Sequence, residues 1–460
     1  MFSVGDIYQR IKAFKTKLGS GRERLYFAKV DVQAAFDTIP QDAMVKLLRR
    51  IPSAARYKLT KHAEIQQLET ASSGGSSKSV RSKVSKRWHS VAKTSDDATS
   101  FQDALETSLA TNKRNTVFVG NAAQQYLGAK ELLALTESHI EQNLVRIGKK
   151  YYRQKNGIPQ GSVLSSTLCN YFYADLERKH LAFLEEEDGD CLLLRLIDDF
   201  LLITTDKSKA TRFVEVMHRG LPTYGVSVSP GKSLVNFELT IDGVQVSQCE
   251  STTTMTQGLF PYCGLLIDCK TLHISKQRET DNPKKDPIIF NSLSVEHSRC
   301  PGQNFIRKVL HAFKIQSHLM FFDTSLNSYR AVLQNAYAAF VETATKTWAY
   351  ARCLPKSKRP TLKIMKRSVQ SLIEVAYALL ASRSRKARYP GYTCSVRKPQ
   401  LAWLAMVAFR QVFVRKQTGY KEVIAWLEEE TLGLSRSQKV RRELDCGVLV
   451  GVARACNVRT

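Results

Sequence analysis

Acidic residues are scarce in this chain. Lys and Arg number 69 against 42 Asp and Glu, leaving a net charge of +27 over 460 residues. A surplus spread along the whole chain, not gathered in one tail, points to a polyanionic partner, nucleic acid first and an acidic membrane second. Long apolar runs are missing too. The best candidate, Leu401 to Val414, is too short to cross a bilayer and contains Arg410, so it is expected to be a buried helix. The ten cysteines form no Cys-x-x-Cys pair and no Cys/His pattern at zinc spacing, which argues against a structural zinc. With no recognisable signal peptide, that scatter leads to the expectation of a reducing, intracellular compartment. Cys263 and Cys269 read as small core residues of a strand region. No internal repeat is present.

What is there suits two to four domains or subdomains, because single cores stop growing at roughly 250–300 residues. Spacing of Ile7, Ile11, Phe14 and Leu18 predicts a helix over 4–18, with Asp6 as its N-cap. Leu25 to Val32 reads as a buried strand with Asp31 near its end, and Pro40 to Ile51 as a helix opened by proline. Residues 58–100 are basic and Ser-rich, with a flexible Ser72–Ser77 loop, and a helix is expected between Asn121 and Ile147. Further helices are expected over 163–184 and 206–219. Beyond 300 the pattern is helical, over 303–320, 326–350, 361–382, 400–416 and 419–430, with a polar Pro/Lys stretch at 275–288 as a boundary.

The run Leu192 to Ile203 carries Asp198 and Asp199 in its apolar middle. Strand, tight turn, strand is the simplest reading, with the carboxylates at the hairpin tip. Adjacent like charges in an apolar setting are costly unless a cation or donors compensate them. An antiparallel sheet could bring Asp31 alongside. Three carboxylates of that kind suit phosphoryl transfer with two Mg²⁺ ions about 3.5–4 Å apart, for which hard oxygen ligands are appropriate.

These residues carry a resemblance. Phe27-Ala-Lys-Val-Asp-Val-Gln-Ala-Ala-Phe-Asp-Thr-Ile-Pro-Gln41 resembles motif A of reverse transcriptases in its telomerase form, and Gly157-Ile-Pro-Gln-Gly-Ser-Val-Leu-Ser165 resembles motif B. Leu194 to Ile203 resembles motif C, the Gly225–Lys232 turn motif D, and Gly258 to Asp268 motif E, the primer grip. The wording Phe-Pro-Tyr-Cys-Gly and Leu-Ile-Asp-Asp-Phe is similar to telomerase reverse transcriptase more than to retroelement or group II intron enzymes.

The resemblance implies an α+β fold: a right-hand polymerase palm, an antiparallel sheet packed on helices, followed by an all-α thumb. It implies a fingers remnant at 1–24, palm at 25–56 and 153–290, an insertion in the fingers at 57–152, and a C-terminal helical thumb extension at 291–460. RNA-binding and most fingers segments would precede residue 1, so a palm–thumb fragment that only binds nucleic acid is an alternative. Carried over by position, Asp31, Asp198 and Asp199 would bind two Mg²⁺ ions, the Val32 carbonyl assisting. Phe36, where the family usually has Tyr, would be the steric gate against a ribose 2′-OH. Gln160 and Gly161 would lie beside the nascent base pair, and Lys232 would act on the pyrophosphate leaving group. Tyr262, Cys263 and Gly264 would support the primer 3′ end. The implied partners are a telomerase RNA template, a telomeric single-stranded DNA primer and deoxynucleoside triphosphates, with no membrane. The implied location is the nucleus, at the telomere, although no import signal stands out in the sequence.

Overall fold

The computed structural model describes residues 4–19, 24–68, 83–94, 101–106, 116–120, 125–185, 189–249, 258–277, 293–296, 298, 300–381, 386, 389–416, 419–436 and 451. The chain divides into two compact units. One comprises Met1–Asp31, Ala182–His218 and Ser229–Thr460; the other comprises Val32–Leu181 and Arg219–Val228.

In the first unit a four-stranded antiparallel sheet runs Leu234–Val235, Tyr26–Asp31, Asp199–Thr204, Cys191–Leu196. Its two inner strands are covered on both faces: Phe27, Ala28, Val30, Phe200, Leu201, Leu202 and Ile203 are wholly buried. Strands of that kind read as continuous apolar runs instead of alternating ones. A second hairpin, Leu259–Tyr262 with Leu265–Asp268, is extended by Ile274–Lys276. Phe260 from this hairpin lies 5.2 Å from Phe27, ring centre to ring centre. Burying each such ring contributes about 1.5–3 kcal/mol.

The same core continues through Phe305, Phe340, Val369 and Leu404, which belong to the long helices of the C-terminal half. These are Pro301–Gln316, Tyr329–Cys353, Leu362–Leu380, Lys398–Val414 and Lys421–Arg436. Proline opens two of them, where its missing N–H would be unpaired anyway. Ser328 caps the longest by accepting from the Ala331 N–H at 3.2 Å. Among the described residues no helix is long and apolar enough to cross a membrane. At the front of the unit, Val4–Leu18 is helical as expected, but Asp6 stands inside the first turn and is not its cap. There it still favours the positive end of the helix dipole.

Asp323 ties this N-terminal helix to the C-terminal helices. Its side chain is fully buried and accepts from Tyr8 Oη, from Lys12 Nζ at 2.7 Å, and from the Ser325 and Thr393 N–H groups at 3.0 and 3.1 Å. Burial alone would raise its carboxyl, but the donated bonds outweigh it and hold the pKa below the usual range. A depressed carboxylate contributes stability that is present above its unfolded pKa and is lost as pH falls through the folded one. Asp323→Ala leaves the buried Tyr8 phenol without its acceptor and takes the carboxylate from the half-buried Lys12, which keeps only its bond to the Gly391 carbonyl. Urea unfolding at neutral pH is expected to show a loss of about 3–5 kcal/mol. The difference between the two proteins should shrink as the pH is taken through the acid range.

The second unit departs more from expectation. No strand is expected from the basic, Ser-rich sequence over 58–100, yet Arg56–Leu68 and Lys83–Thr94 form a long antiparallel pair, flanked on the first strand by Thr116–Gly120 and Gln125–Gly128. The Ser72–Ser77 loop lies outside the described residues, as do 278–292, which hold most of the expected boundary at 275–288. The helix expected over 121–147 is confined to Ala129–Glu141, and a hairpin of Leu144–Ile147 and Lys150–Arg153 follows. Ser165–His180 is helical, burying Leu168, Phe172, Tyr173 and Leu176.

Candidate active site

Strand register builds the site in the first unit. Asp31 ends its strand directly opposite Asp199, the first residue of the neighbouring strand, so their side chains share one face. Asp199 is also paired with Leu196 across the hairpin, and Ile197-Asp198 makes the turn. Ile197 has φ +59°, a left-handed conformation that costs a β-branched residue roughly 1–2 kcal/mol. That turn puts Asp198 beside the facing pair. Burial, then the charges of Asp199 and Asp31, push the Asp198 carboxyl up.

Two ammonium groups answer this negative charge. Lys232 Nζ lies 2.8 Å from Asp31 Oδ2, and Lys29 Nζ lies 3.6 Å from Asp199 Oδ1. Lys232 sits on a single helical turn, Pro230–Lys232, and its bond to Asp31 raises its pKa. Lys29 precedes Asp31 by two residues and so projects to the same side of the strand. Sequence reasoning missed it, although a lone lysine in a buried strand is the available signal. Among the described residues no three Asp, Glu, His or Cys side chains converge into a preformed metal cage. The donor set nevertheless suits a hard divalent cation: carboxylates from two adjacent strands and a turn, two of them facing lysine ammonium groups of the same chain.

The Tyr262-Cys263-Gly264 turn reaches the same place. Tyr262 Oη donates to the Asp199 carbonyl at 3.0 Å, and Cys263 Sγ is 3.7 Å from Asp199 Oδ2. Burial and the Asp199 charge push the Cys263 thiol up to about 12, so it stays protonated and donates. Cys263 and Cys269 stand in turns, half-buried, and not within strands. Lys29, Asp199, Lys232, Tyr262, Cys263 and Gly264 line a cavity of about 400 Å³.

The remaining candidates belong to the second unit. Val32 is buried and pairs with Val228. Phe36, half-buried, lies on the short turn Ala35–Thr38, and its carbonyl accepts from the Ile158 N–H at 2.7 Å. Gln160 is exposed, its amide 3.4 Å from Asp37, and Gly161 faces open space. Two further glycines grip the Phe36 turn. A Cβ on Gly157 would stand 2.3 Å from the Phe36 carbonyl oxygen, and one on Gly225 1.9 Å from that of Thr38. Tyr224, just before Gly225, donates to Asp175 at 2.7 Å. Burial opposes ionisation of Asp175, but bonds from Lys179, Tyr224 and Arg178 hold its carboxyl down to about 2.

Comparison with known proteins fits this geometry. Residues 96–257 match the family described as Reverse transcriptase (RNA-dependent DNA polymerase). Residues 303–428 match Telomerase reverse transcriptase, C-terminal extension. The first match begins after Asp31, so the place of Asp31 rests on its register with Asp199. The chain is 29% identical to the telomerase reverse transcriptase of Canis lupus familiaris over 445 residues, 95% of this chain and 38% of that protein. It is 28% identical to that of Bos taurus over 446 residues, again 95% of the chain and 38% of the relative. The chain thus spans about two fifths of the length of these relatives. A solved telomerase from Candida albicans, in complex with a fragment of telomeric RNA, shares the fold with TM-score 0.52 and 17% identity, covering 93% of this chain and 55% of that one.

Fold and motifs define the class: an α+β chain with the palm of a reverse transcriptase followed by an all-α extension. Dependence on divalent metal goes with that class. Within it, the match to the C-terminal extension and the curated relatives point to one branch: the chain is similar to telomerase reverse transcriptases over 95% of its length.

Proposed function

We propose that the chain is the palm and thumb portion of an RNA-directed DNA polymerase of the telomerase type, extending chromosome 3′ ends on an RNA template. The observation that carries this reading is the register that sets Asp31 opposite Asp199, with Asp198 at the adjoining turn. Asp31, Asp198 and Asp199 would hold two Mg²⁺ ions. When bound, such ions promote ionisation of the primer hydroxyl and neutralise the triphosphate.

The primer O3′ attacks the α-phosphorus, the α–β phosphoanhydride bond breaks, and pyrophosphate departs. Lys232, charged and two-thirds exposed, stands ready to give its proton to that leaving group. Tyr262, Cys263 and Gly264 support the primer 3′ end beside Asp199. Phe36 excludes a ribose 2′-OH, Gln160 and Gly161 lie against the nascent pair, and the Val32 carbonyl assists at the metals. Partners on this reading are telomerase RNA, telomeric single-stranded DNA and deoxynucleoside triphosphates, at the telomere in the nucleus. The domain reading places a fingers remnant at 1–24, palm at 25–56 and 153–290, the fingers insertion at 57–152 and the thumb extension at 291–460.

A second reading, a non-catalytic grip on an RNA–DNA hybrid, is served equally well by the net charge of +27. Primer extension separates the two. With an RNA template, a DNA primer and Mg²⁺, incorporation of deoxynucleotides is expected, abolished by EDTA and restored by excess Mg²⁺. Tight binding of the hybrid with no incorporation would overturn the polymerase reading for this chain.

A further inference from the structure

The Leu144–Arg153 hairpin buries nothing. Among the described residues its two strands pair only with each other, and all ten of its residues are exposed, Tyr151 at 68% and Ile147 at 65%. A lone two-stranded hairpin with neither face covered is marginal in water, so its apolar residues call for a partner. Register sorts the side chains. Leu144, Arg146, Tyr151 and Arg153 share one face; Val145, Ile147, Lys150 and Tyr152 share the other. The Arg146 guanidinium lies over the Tyr151 ring at 5.9 Å.

Charge decides what the partner is. Residues 144–155 carry Arg146, Lys149, Lys150, Arg153 and Lys155, and no Asp or Glu occurs anywhere from 142 to 174. Protein-binding patches are depleted in lysine, whereas single-stranded nucleic acid is held by aromatic faces and arginine planes set among basic groups. The base of the hairpin is fixed. Asn143 and Gln154 bond to each other through backbone and side chain, both at 2.9 Å, and the Gln154 amide reaches the Asn156 and Ile158 carbonyls. The hairpin is therefore held in set register to the Gly157–Ser162 turn, against which the proposed function puts the nascent base pair.

We propose that this hairpin is a docking surface for the unpaired RNA template strand next to that pair: Tyr151 stacks on a base, and Arg146 and Arg153 hold phosphates. The nucleic-acid surface stands on the hairpin's own chemistry; its assignment to template RNA rests on the polymerase reading. The test is fluorescence anisotropy of the full chain with a labelled unstructured RNA oligonucleotide at several salt concentrations, in EDTA and without triphosphate. Failure to extend primers leaves that measurement untouched.

Tyr151→Ala is expected to weaken binding about 5- to 100-fold with the salt dependence unchanged. The Arg146→Ala/Arg153→Ala pair is expected to weaken it at least about tenfold and to lower the log–log salt slope by roughly 1 to 2. Thermal melts should superimpose on wild type, since every altered side chain is exposed. Should either variant melt early, Lys149→Glu/Lys150→Glu at the hairpin tip reads the same charge and must weaken binding. Unchanged affinity and slope in all variants overturn the proposal. Equal or tighter binding of a matched DNA oligonucleotide, with the same losses, overturns the template assignment. Intact RNA binding with altered sedimentation shows a protein partner and overturns it as well.

Discussion

Asp198→Ala is expected to lower primer extension by at least about 10³-fold while leaving the protein as stable as wild type or more so. The two halves of that result have one cause. The Asp198 carboxyl is half-buried beside Asp199 and Asp31, and both burial and their charges raise its pKa. A raised carboxyl pKa means that the folded state binds protons more readily than the unfolded one. Stability therefore falls as pH rises through the interval above the unfolded value, and the charged form opposes folding at neutral pH. Removing it relieves that opposition. In a polymerase the same charge is held for a divalent cation, and losing one ligand forfeits several kcal/mol of transition-state stabilisation, each 1.36 kcal/mol being tenfold in rate. Asp323→Ala must behave in the opposite way, since that carboxyl is depressed and fully satisfied. Extension and urea unfolding, measured on one preparation of each variant, read both quantities. An Asp198→Ala protein that extends primers normally would sink the metal assignment, and one that melts well below wild type would sink the electrostatic account.

The sheet around Asp31 and Asp199 was legible because its inner strands are apolar on both faces and the aspartates interrupt them. The C-terminal helices were legible through their 3.6-residue apolar spacing, with ends within a few residues. What escaped was structure whose signal is not apolar periodicity. Lys83 to Thr94 alternates only weakly, and its four Lys and Arg are residues that strands usually avoid, yet it pairs over its whole length with Arg56–Leu68. Lys29 was not singled out as a neighbour of Asp199, because a cross-strand neighbour has no linear spacing. Asp6 looked like a cap from its residue type, but capping depends on where the helical dihedrals begin. Gly157 and Gly225 were invisible as contacts for the same reason as Lys29: close backbone approach is a property of the fold.

Gly225→Ala tests that approach and is expected to cost about 2–5 kcal/mol. Gly225 has φ +63°, which charges an alanine roughly 1–2 kcal/mol before any contact is counted. Its Cβ would then stand 1.9 Å from the Thr38 oxygen, 2.7 Å from the Thr38 carbonyl carbon and 3.2 Å from Pro40 Cδ. Backbone atoms ahead of a proline cannot swing aside as a lysine tip would, so relief requires moving the Phe36–Pro40 segment. Overpacking of this kind adds about 1–3 kcal/mol. Gly231→Ala is the control. Its φ is not positive and nothing lies within 4 Å of a Cβ there, so it should be near neutral. Gly161→Ala separates the two contributions, having φ +81° but open space around the Cβ, and should cost only the conformational part. Unfolding of the three variants is expected to rank Gly225→Ala far above Gly161→Ala, with Gly231→Ala last. Should Gly225→Ala and Gly161→Ala lose the same amount, the Thr38 contact contributes nothing and the grip on the Phe36 turn is not what fixes it.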